Sequence, residues 1–458
     1  MKLWNYIKDA MMNNLEQTVC ESSVQMTYQE LVIFSELFAE KIKNEKCCAI
    51  LCHSEMAAAM SLLACFAAGV TAVPLSTRYG EQHCQKILET ISPTAIITDA
   101  NNKFQVIRLI GSDYTAPDYP PALIMCTSGT TGTPKGAMLS AQNIISNVSD
   151  ICDYFDINNE DTILIARPLY HCAVLTGELI TSLVKGARIR FSSEKFNPKL
   201  LLDLIYEYNI TVFCGTPTIL NMMTRFKKNI SNCTLKKICV SGECLSNDIG
   251  QRITQVFPSA DIYHVYGLTE ASPRVSYLPV DMFKEHSDSV GIPLKSVSLK
   301  IIKSNSEIAD KNEEGILWIS GPNIMMGYYN SPTQTESVLK DGWLCTGDVA
   351  LIDSNGLLKI KGRSDDLIIR GGMNIYPSEI ENAMKTDQRV CEVMVYQNKH
   401  PRFGTQIGMK ISGDFADLSE VKTLCAQILP EYQIPSIIEL CDNLPKSISG
   451  KIIRLKTT

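Results

Sequence analysis

From residue 122 onward, apolar and polar positions fall into short blocks, each with the length and period of a buried strand or an amphipathic helix. Residues 122–126 form an apolar run of strand length, followed by a loop of small and hydroxyl residues. The pattern then predicts a helix over 140–155, a strand over 162–166, a helix over 175–184 and a strand over 187–191. It continues with a helix at 198–208, a strand at 211–214, a helix at 218–226, a strand at 237–240 and a helix at 247–257. Strict alternation of this kind predicts an α/β fold with mainly parallel sheets covered on both faces, whose ligands gather at loops beyond the carboxyl ends of the strands. Upstream, residues 56–75 carry no charge over about the length of a membrane span. The run is rich in Ala and is interrupted by Gly69 and Pro74, so it reads as a buried helix at 55–68 and a strand at 71–74, against the competing reading of a membrane helix.

Beyond about residue 290 the texture changes to turn-separated apolar runs, such as 315–319 and 356–360, which predict a β-rich subdomain. Residues 362–366 are polar and charged, and a compact tail follows with a helix at 377–384 and a strand at 391–396. These shifts divide the chain into a large N-terminal α/β domain, residues 1–364, and a small α+β C-terminal lid, residues 365–458.

A length of 458 residues exceeds what one hydrophobic core usually organises, so at least two domains are expected. The net charge of −6 leaves no electrostatic footprint for nucleic acid, and the basic end of the chain (Lys446, Lys451, Arg454, Lys456) reads in isolation as a solvated tail. The 17 cysteines are dispersed, with no zinc-like spacing, as expected for free thiols in a reducing cytoplasm. The N-terminus meets charge at Lys2 and Lys8 and has no apolar core, so it does not read as a secretory signal.

The candidate chemistry starts in the loop after the first of these strands, Thr127-Ser128-Gly129-Thr130-Thr131-Gly132-Thr133-Pro134-Lys135. Small residues let backbone N–H groups and hydroxyls converge on phosphate oxygens, and Lys135 adds positive charge. A Walker loop needs Lys followed by Ser or Thr; here Pro134 precedes the lysine and Gly136 follows it, which disfavours a kinase-like or GTPase-like site. Taken alone, the loop is matched by a plain surface turn.

Five further patterns weigh against that reading: Tyr266-Gly267-Leu268-Thr269-Glu270, Gly342-Trp343-Leu344-Cys345-Thr346-Gly347-Asp348, Gly362-Arg363-Ser364-Asp365-Asp366, the stretch from Gly371-Gly372 to Glu381, and Pro445-Lys446-Ser447-Ile448-Ser449-Gly450-Lys451. In this order the six resemble the adenylate-forming superfamily, which includes acyl-CoA synthetases, peptide-synthetase adenylation domains and firefly luciferase. The resemblance runs from about residue 25 to the end of the chain. It implies ATP-dependent attack of a carboxylate on the α-phosphorus, loss of pyrophosphate, and displacement of AMP by a thiol. It also implies Mg²⁺ on Glu270, the α-phosphate near Thr269, and phosphates in the 127–135 loop. By the same resemblance Asp348 and Arg363 hold the ribose, Tyr266 and Gly267 lie against adenine with Gly242, Glu243 and Cys244, and Lys451 bridges carboxylate and α-phosphate. Asp365 falls at the hinge about which the lid turns to bring Gly371 and Gly372 to the thiol tunnel.

Arg167-Pro168-Leu169-Tyr170-His171 resembles the corresponding segment of CoA ligases, and it lacks the aspartate that holds an α-amino group in peptide synthetases. The resemblance sets His171 between the carboxylate site and the thiol tunnel. It draws the acyl pocket from Tyr170, Cys172, Val174, Thr176, Gly177, Cys214, Gly215, Thr216 and Leu268, which suit an aromatic or medium aliphatic acid. The glycine loop comes earlier than is usual for acyl-CoA synthetases, which implies a short front end. CoA is the favoured thiol and the phosphopantetheine of an acyl or peptidyl carrier protein the alternative, in a chain working as a monomer or a homodimer. A silent nucleotide-binding module on the same fold is the competing reading from another class, and intact Glu270, Asp348, Arg363 and Lys451 argue against it.

Overall fold

The uncharged run at 56–75 is an interior helix and strand. Helix Glu55–Ala68 is capped by Ser54, whose hydroxyl accepts from the Ala57 N–H, and it ends at Gly69 in the left-handed conformation (φ +71°). Every residue from Met56 to Phe66 is buried, so its lack of a polar face reflects cover on all sides. Strand Thr71–Pro74 follows, and no helix among the described residues is long and apolar enough to cross a membrane. The computed structural model describes residues 2–77, 81–100, 103–128, 134–192, 197–229, 233–370, 373–400 and 404–445.

Two large sheets organise the body. In the nine-stranded sheet, six strands run parallel in the order Asp261–Gly267, Lys237–Val240, Val212–Gly215, Thr162–Ile165, Arg188–Phe191 and Thr18–Glu21; antiparallel strands flank them. The seven-stranded sheet is parallel across Leu123–Ser128, Thr71–Pro74, Cys47–Ile50 and Ala95–Ala100. The α/β class and parallel sheets expected from the sequence are therefore present. Several strands had no counterpart in the pattern, among them Thr18–Glu21, Cys47–Ile50, Ala95–Ala100, Asp261–Gly267 and Pro134–Leu139; the last returns antiparallel to Leu123–Ser128, with Thr127 opposite Lys135. Leu123–Ser128 and Pro134–Leu139 thus form an antiparallel pair, and Lys135 lies on its returning strand.

An antiparallel five-stranded sheet follows, formed by Ser298–Ile302, Gly315–Ser320, Leu339–Lys340, Trp343–Ile352 and Leu358–Arg363. The tail has its own apolar core, in which Ile368, Ile380, Val393, Met409, Val421 and Leu424 are buried. Its three-stranded sheet pairs Val390–His400 with Gly404–Gly413 and Gly404–Gly413 with Ile437–Leu440. Arg225 Nη2 donates to the Val390 carbonyl at 2.5 Å and Ser378 Oγ to the Lys361 carbonyl at 2.5 Å, so polar contacts join tail to body. A cleft of about 610 Å³ runs along this seam between Arg252 and Thr386 and holds none of the motif residues. All 17 cysteines are free.

Candidate active site

The segments that follow the parallel strands Asp261–Gly267 and Thr162–Ile165 carry Glu270 and His171, while antiparallel strands carry Lys135, Asp348 and Arg363. Strand Asp261–Gly267 leads into Leu268 and a short turn at Thr269–Ala271, which carries Glu270. Gly267 is required there: a Cβ would lie 2.0 Å from the Pro273 carbonyl oxygen, closing off the approach of the two chain segments. The Tyr328 hydroxyl donates to Glu270 Oε1 at 2.8 Å. Tyr328 itself lies on the two-residue strand Gly327–Tyr328, paired to the hairpin strand through Ala137. Its ring sits 5.2 Å from Lys135 Nζ, within cation–π reach. The hairpin lysine and the motif glutamate, 135 positions apart in the chain, are thus linked through one tyrosine. Burial, reinforced by the Glu270 carboxylate, pushes the Tyr328 hydroxyl well above its usual range, so it remains a donor.

A second cluster stands beside the first. Asp348 lies opposite Arg363 in the antiparallel pair of strands Trp343–Ile352 and Leu358–Arg363. Arg363 Nη1 donates to Asp348 Oδ1 at 3.3 Å and to the Thr346 carbonyl at 2.7 Å. The Tyr266 hydroxyl donates to Asp348 Oδ2, and the Asp348 N–H donates to Thr346 Oγ1 at 3.0 Å. Gly347 has φ +73°, and a Cβ there would lie 2.9 Å from Arg363 Nη2. Burial raises the Asp348 carboxyl and Arg363 opposes it, whereas burial followed by the Asp348 charge raises the Tyr266 hydroxyl. A carboxylate offers about four lone-pair sites, so two protein donors leave room for the hydroxyls of a sugar.

The segment after strand Thr162–Ile165 carries Tyr170 and His171, whose rings lie 4.1 Å apart between centroids. His171 caps a helix that continues through a π-helical stretch, Leu175–Ile180. Thr176 Oγ1 donates to the carbonyls of Cys172 and Ser272, tying this wall to the segment after Glu270. Cys172, Val174, Thr176, Gly177, Cys214 and Gly215 are buried there, while Thr216 and Leu268 are half-buried. Thr216 also caps helix Pro217–Met223. Gly242 takes φ +94°. Glu243 Oε2 accepts from the N–H and hydroxyl of Thr218 at 3.3 and 2.5 Å, which directs this carboxylate to a helix N-terminus. Cys244 Sγ donates to the Ile360 carbonyl at 3.8 Å. Asp365 is exposed in the short turn Ser364–Asp366. Thr127 and Ser128 end the first hairpin strand, while Gly129, Thr130, Thr131, Gly132, Gly371, Gly372 and Lys451 lie outside the described residues.

Sequence reasoning gave no role to Tyr328 or to a charged set near Gly177 formed by the part-buried Arg167 and the buried Glu178 and Arg274. Arg167 Nη2 donates to Glu178 Oε1 at 2.6 Å, and Arg274 Nη2 donates to Cys239 Sγ at 3.8 Å. The available signal was charge inside otherwise apolar stretches, since Glu178 interrupts Leu175–Ile180 and Arg274 opens the strand Arg274–Leu278.

Among the described residues no three ligand-type side chains stand together as a metal cage. A single carboxylate beside bound phosphates is nonetheless a normal Mg²⁺ site, and the Glu270 carboxylate, oriented by Tyr328, is of the right donor type.

Comparison with known proteins agrees with this geometry. Residues 8–329 match the model of the AMP-binding enzyme family. The chain is 30% identical over 418 residues to a feruloyl-CoA synthase of Amycolatopsis sp, covering 86% of this chain and 84% of that one. It is 32% identical over 342 residues to a long-chain-fatty-acid–CoA ligase of Haemophilus influenzae, covering 73% of this chain but only 60% of the relative. Among solved structures, o-succinylbenzoate CoA synthetase from Bacillus subtilis, in complex with its acyl-adenylate intermediate, superposes with a TM-score of 0.85 at 25% identity, over 98% of this chain and 97% of that one. The same enzyme with ATP and magnesium ion gives 0.84 at 25% identity, covering 98% of each. By these matches the chain belongs to the AMP-binding enzymes of the adenylate-forming superfamily.

Proposed function

We propose that this chain is an AMP-forming acid–thiol ligase. It activates an aromatic or medium aliphatic carboxylic acid with ATP and passes the acyl group to CoA. The observation that carries the reading is the union of Lys135, Tyr328 and Glu270 with the neighbouring Tyr266–Asp348–Arg363 cluster. The first group holds a cation, a carboxylate and a buried donor where a triphosphate could be neutralised. The second presents a carboxylate fixed from two sides, suited to a ribose.

In this reading the hairpin residues Thr127, Ser128 and Lys135 receive the phosphates, and Thr269 contacts the α-phosphate. Glu270 would hold Mg²⁺, which supplies charge neutralisation on the phosphates. Tyr328 orients the Glu270 carboxylate through its hydrogen bond. Tyr266 is fixed by its hydroxyl on Asp348, so its ring keeps one orientation toward the base. His171, braced against Tyr170, faces the route of the thiol. Residues 1–364 form the adenylating body and residues 365–458 the lid, with Asp365 as hinge, Lys451 serving adenylation and Gly371-Gly372 serving thioester formation. The free cysteines suit a reducing cytoplasm.

The relatives' names support acid–thiol ligation, and the superposed enzyme with its acyl-adenylate supports an adenylate intermediate. The test is pyrophosphate release with ATP and Mg²⁺ across benzoate-type, short, medium and long acids, each with CoA, with a phosphopantetheinylated carrier protein, or with neither. Selective release stimulated by CoA is expected. Stimulation by the carrier alone would reassign the thiol, and no acid-dependent release would overturn the ligase reading.

A further inference from the structure

The wall of the acyl region contains more positive charge than it balances. Arg274 is 2% exposed and packs against Gly177, where a Cβ would lie 3.1 Å from Nη2, so the glycine makes room for the guanidinium. Its other neighbours are Tyr154, which shares a hydrogen bond with it, and Cys239, whose strand position lies directly opposite Cys214. Glu178, from the same helical turn as Gly177, is 1% exposed and already paired with Arg167. Three polar atoms of this set are buried without a protein partner: Arg274 Nε, Arg167 Nε and Glu178 Oε2.

Two guanidiniums thus face one carboxylate. Enclosing an uncompensated charge is costly, so a fixed surplus cation calls for an anion. Within the set only Cys239 could supply one, and a hydrogen bond from Cys214, joined by Arg274, does draw its thiol downward. A thiolate cannot use the forked donors of a guanidinium as a carboxylate does. Cys172, on the same wall, lies within electrostatic reach of both Arg274 and Glu270.

We propose that Arg274 recognises a second carboxylate on the acid substrate, at the end remote from the carboxylate that is activated. The preferred substrates are then dicarboxylic acids on an aromatic or medium aliphatic skeleton. This rests on the ligase reading above and names its substrate class. A substrate ammonium on Glu178 fits less well, because that carboxylate is already committed to Arg167.

The experiment compares kcat/KM for pyrophosphate release in matched sets: hexanoate, hexanedioate and 6-aminohexanoate, and benzoate against benzene-1,4-dicarboxylate. A buried charge-assisted contact predicts a preference for the diacid of about ten- to hundred-fold in the wild type. Arg274→Leu should collapse that ratio toward one, mainly through KM, and Arg274→Lys should recover part of it. If Arg274→Leu fails to fold, the wild-type ratio and Arg274→Lys still decide. Equal or better use of the monoacid, or preference for the amino acid, overturns the proposal. Should no acid release pyrophosphate, the ligase reading itself fails. Calorimetry with hexanedioate then decides the subsite: binding that Arg274→Leu abolishes sustains it, and no binding overturns it.

Discussion

Tyr328 is the side chain that joins the two halves of the proposed phosphate site, because its ring faces Lys135 and its hydroxyl bonds Glu270. Tyr328→Phe keeps the ring and removes the donor. One hydrogen bond to a charged acceptor is worth roughly 1.5–3 kcal/mol when buried, so kcat/KM for pyrophosphate release should fall about ten-fold or more while the melting temperature stays near that of the wild type. An unchanged rate would remove Tyr328 from the site. His264, on the strand that leads to Glu270, makes a separate prediction. Burial depresses its imidazole from the ordinary 6.5 to about 4. The folded state therefore keeps it neutral where the unfolded chain would take up a proton. Stability from this group is complete above about pH 6.5 and is lost as pH falls toward 4, by roughly 3 kcal/mol in all. Urea unfolding between pH 7 and 4 should show the loss, and His264→Gln should flatten it. The residues of the six motifs were legible because each kept its neighbours in order along the chain. Tyr328 was not, since it meets Glu270 only through pairing with a strand whose start, Pro134-Lys135-Gly136, breaks the apolar pattern. Arg274 was hidden for a related reason: its charge matters through Gly177 and Cys239, which are distant in sequence.

Part of the α/β core was readable, whereas the parallel strands Thr18–Glu21, Cys47–Ile50, Ala95–Ala100 and Asp261–Gly267 were not. Strand Lys237–Val240, helix Glu55–Ala68 and helix Pro377–Met384 have the bounds their apolar runs and flanking Ser, Pro and Gly residues indicate. Strand Val390–His400 runs longer than its apolar core, because pairing with Gly404–Gly413 extends through polar residues. Close approach between elements was not readable, and glycine marks it. At Gly267 an added Cβ meets the Pro273 carbonyl at 2.0 Å, whereas at Gly242 the nearest atom is Thr216 Cγ2 at 3.7 Å and only the positive φ is strained. Gly267→Ala should therefore cost roughly 2–4 kcal/mol in urea unfolding and disturb the Glu270 turn, against about 1 kcal/mol for Gly242→Ala. Equal costs at the two positions would contradict the tight packing assigned to the Glu270 turn.

At the scale of the whole molecule, the candidate site joins segments beyond the carboxyl ends of parallel strands to side chains on antiparallel strands. The tail has a separate core and, among the described residues, is joined to the body by polar contacts such as Lys361 Nζ to Glu379 Oε1 at 3.1 Å. A separate core suits the proposed lid that turns between two steps. On that account Lys451→Ala should abolish adenylation but spare thioester formation from supplied acyl-adenylate, and Gly372→Leu should do the reverse. Equal loss of both half-reactions in either variant would contradict the division of labour. The central claim is that the acid's carboxylate attacks the α-phosphorus of ATP. The direct measurement is a turnover with acid labelled with ¹⁸O in its carboxylate, followed by mass spectrometry of the products. The account predicts one labelled oxygen in AMP and none in the pyrophosphate; label in inorganic phosphate, or its absence from AMP, would contradict it.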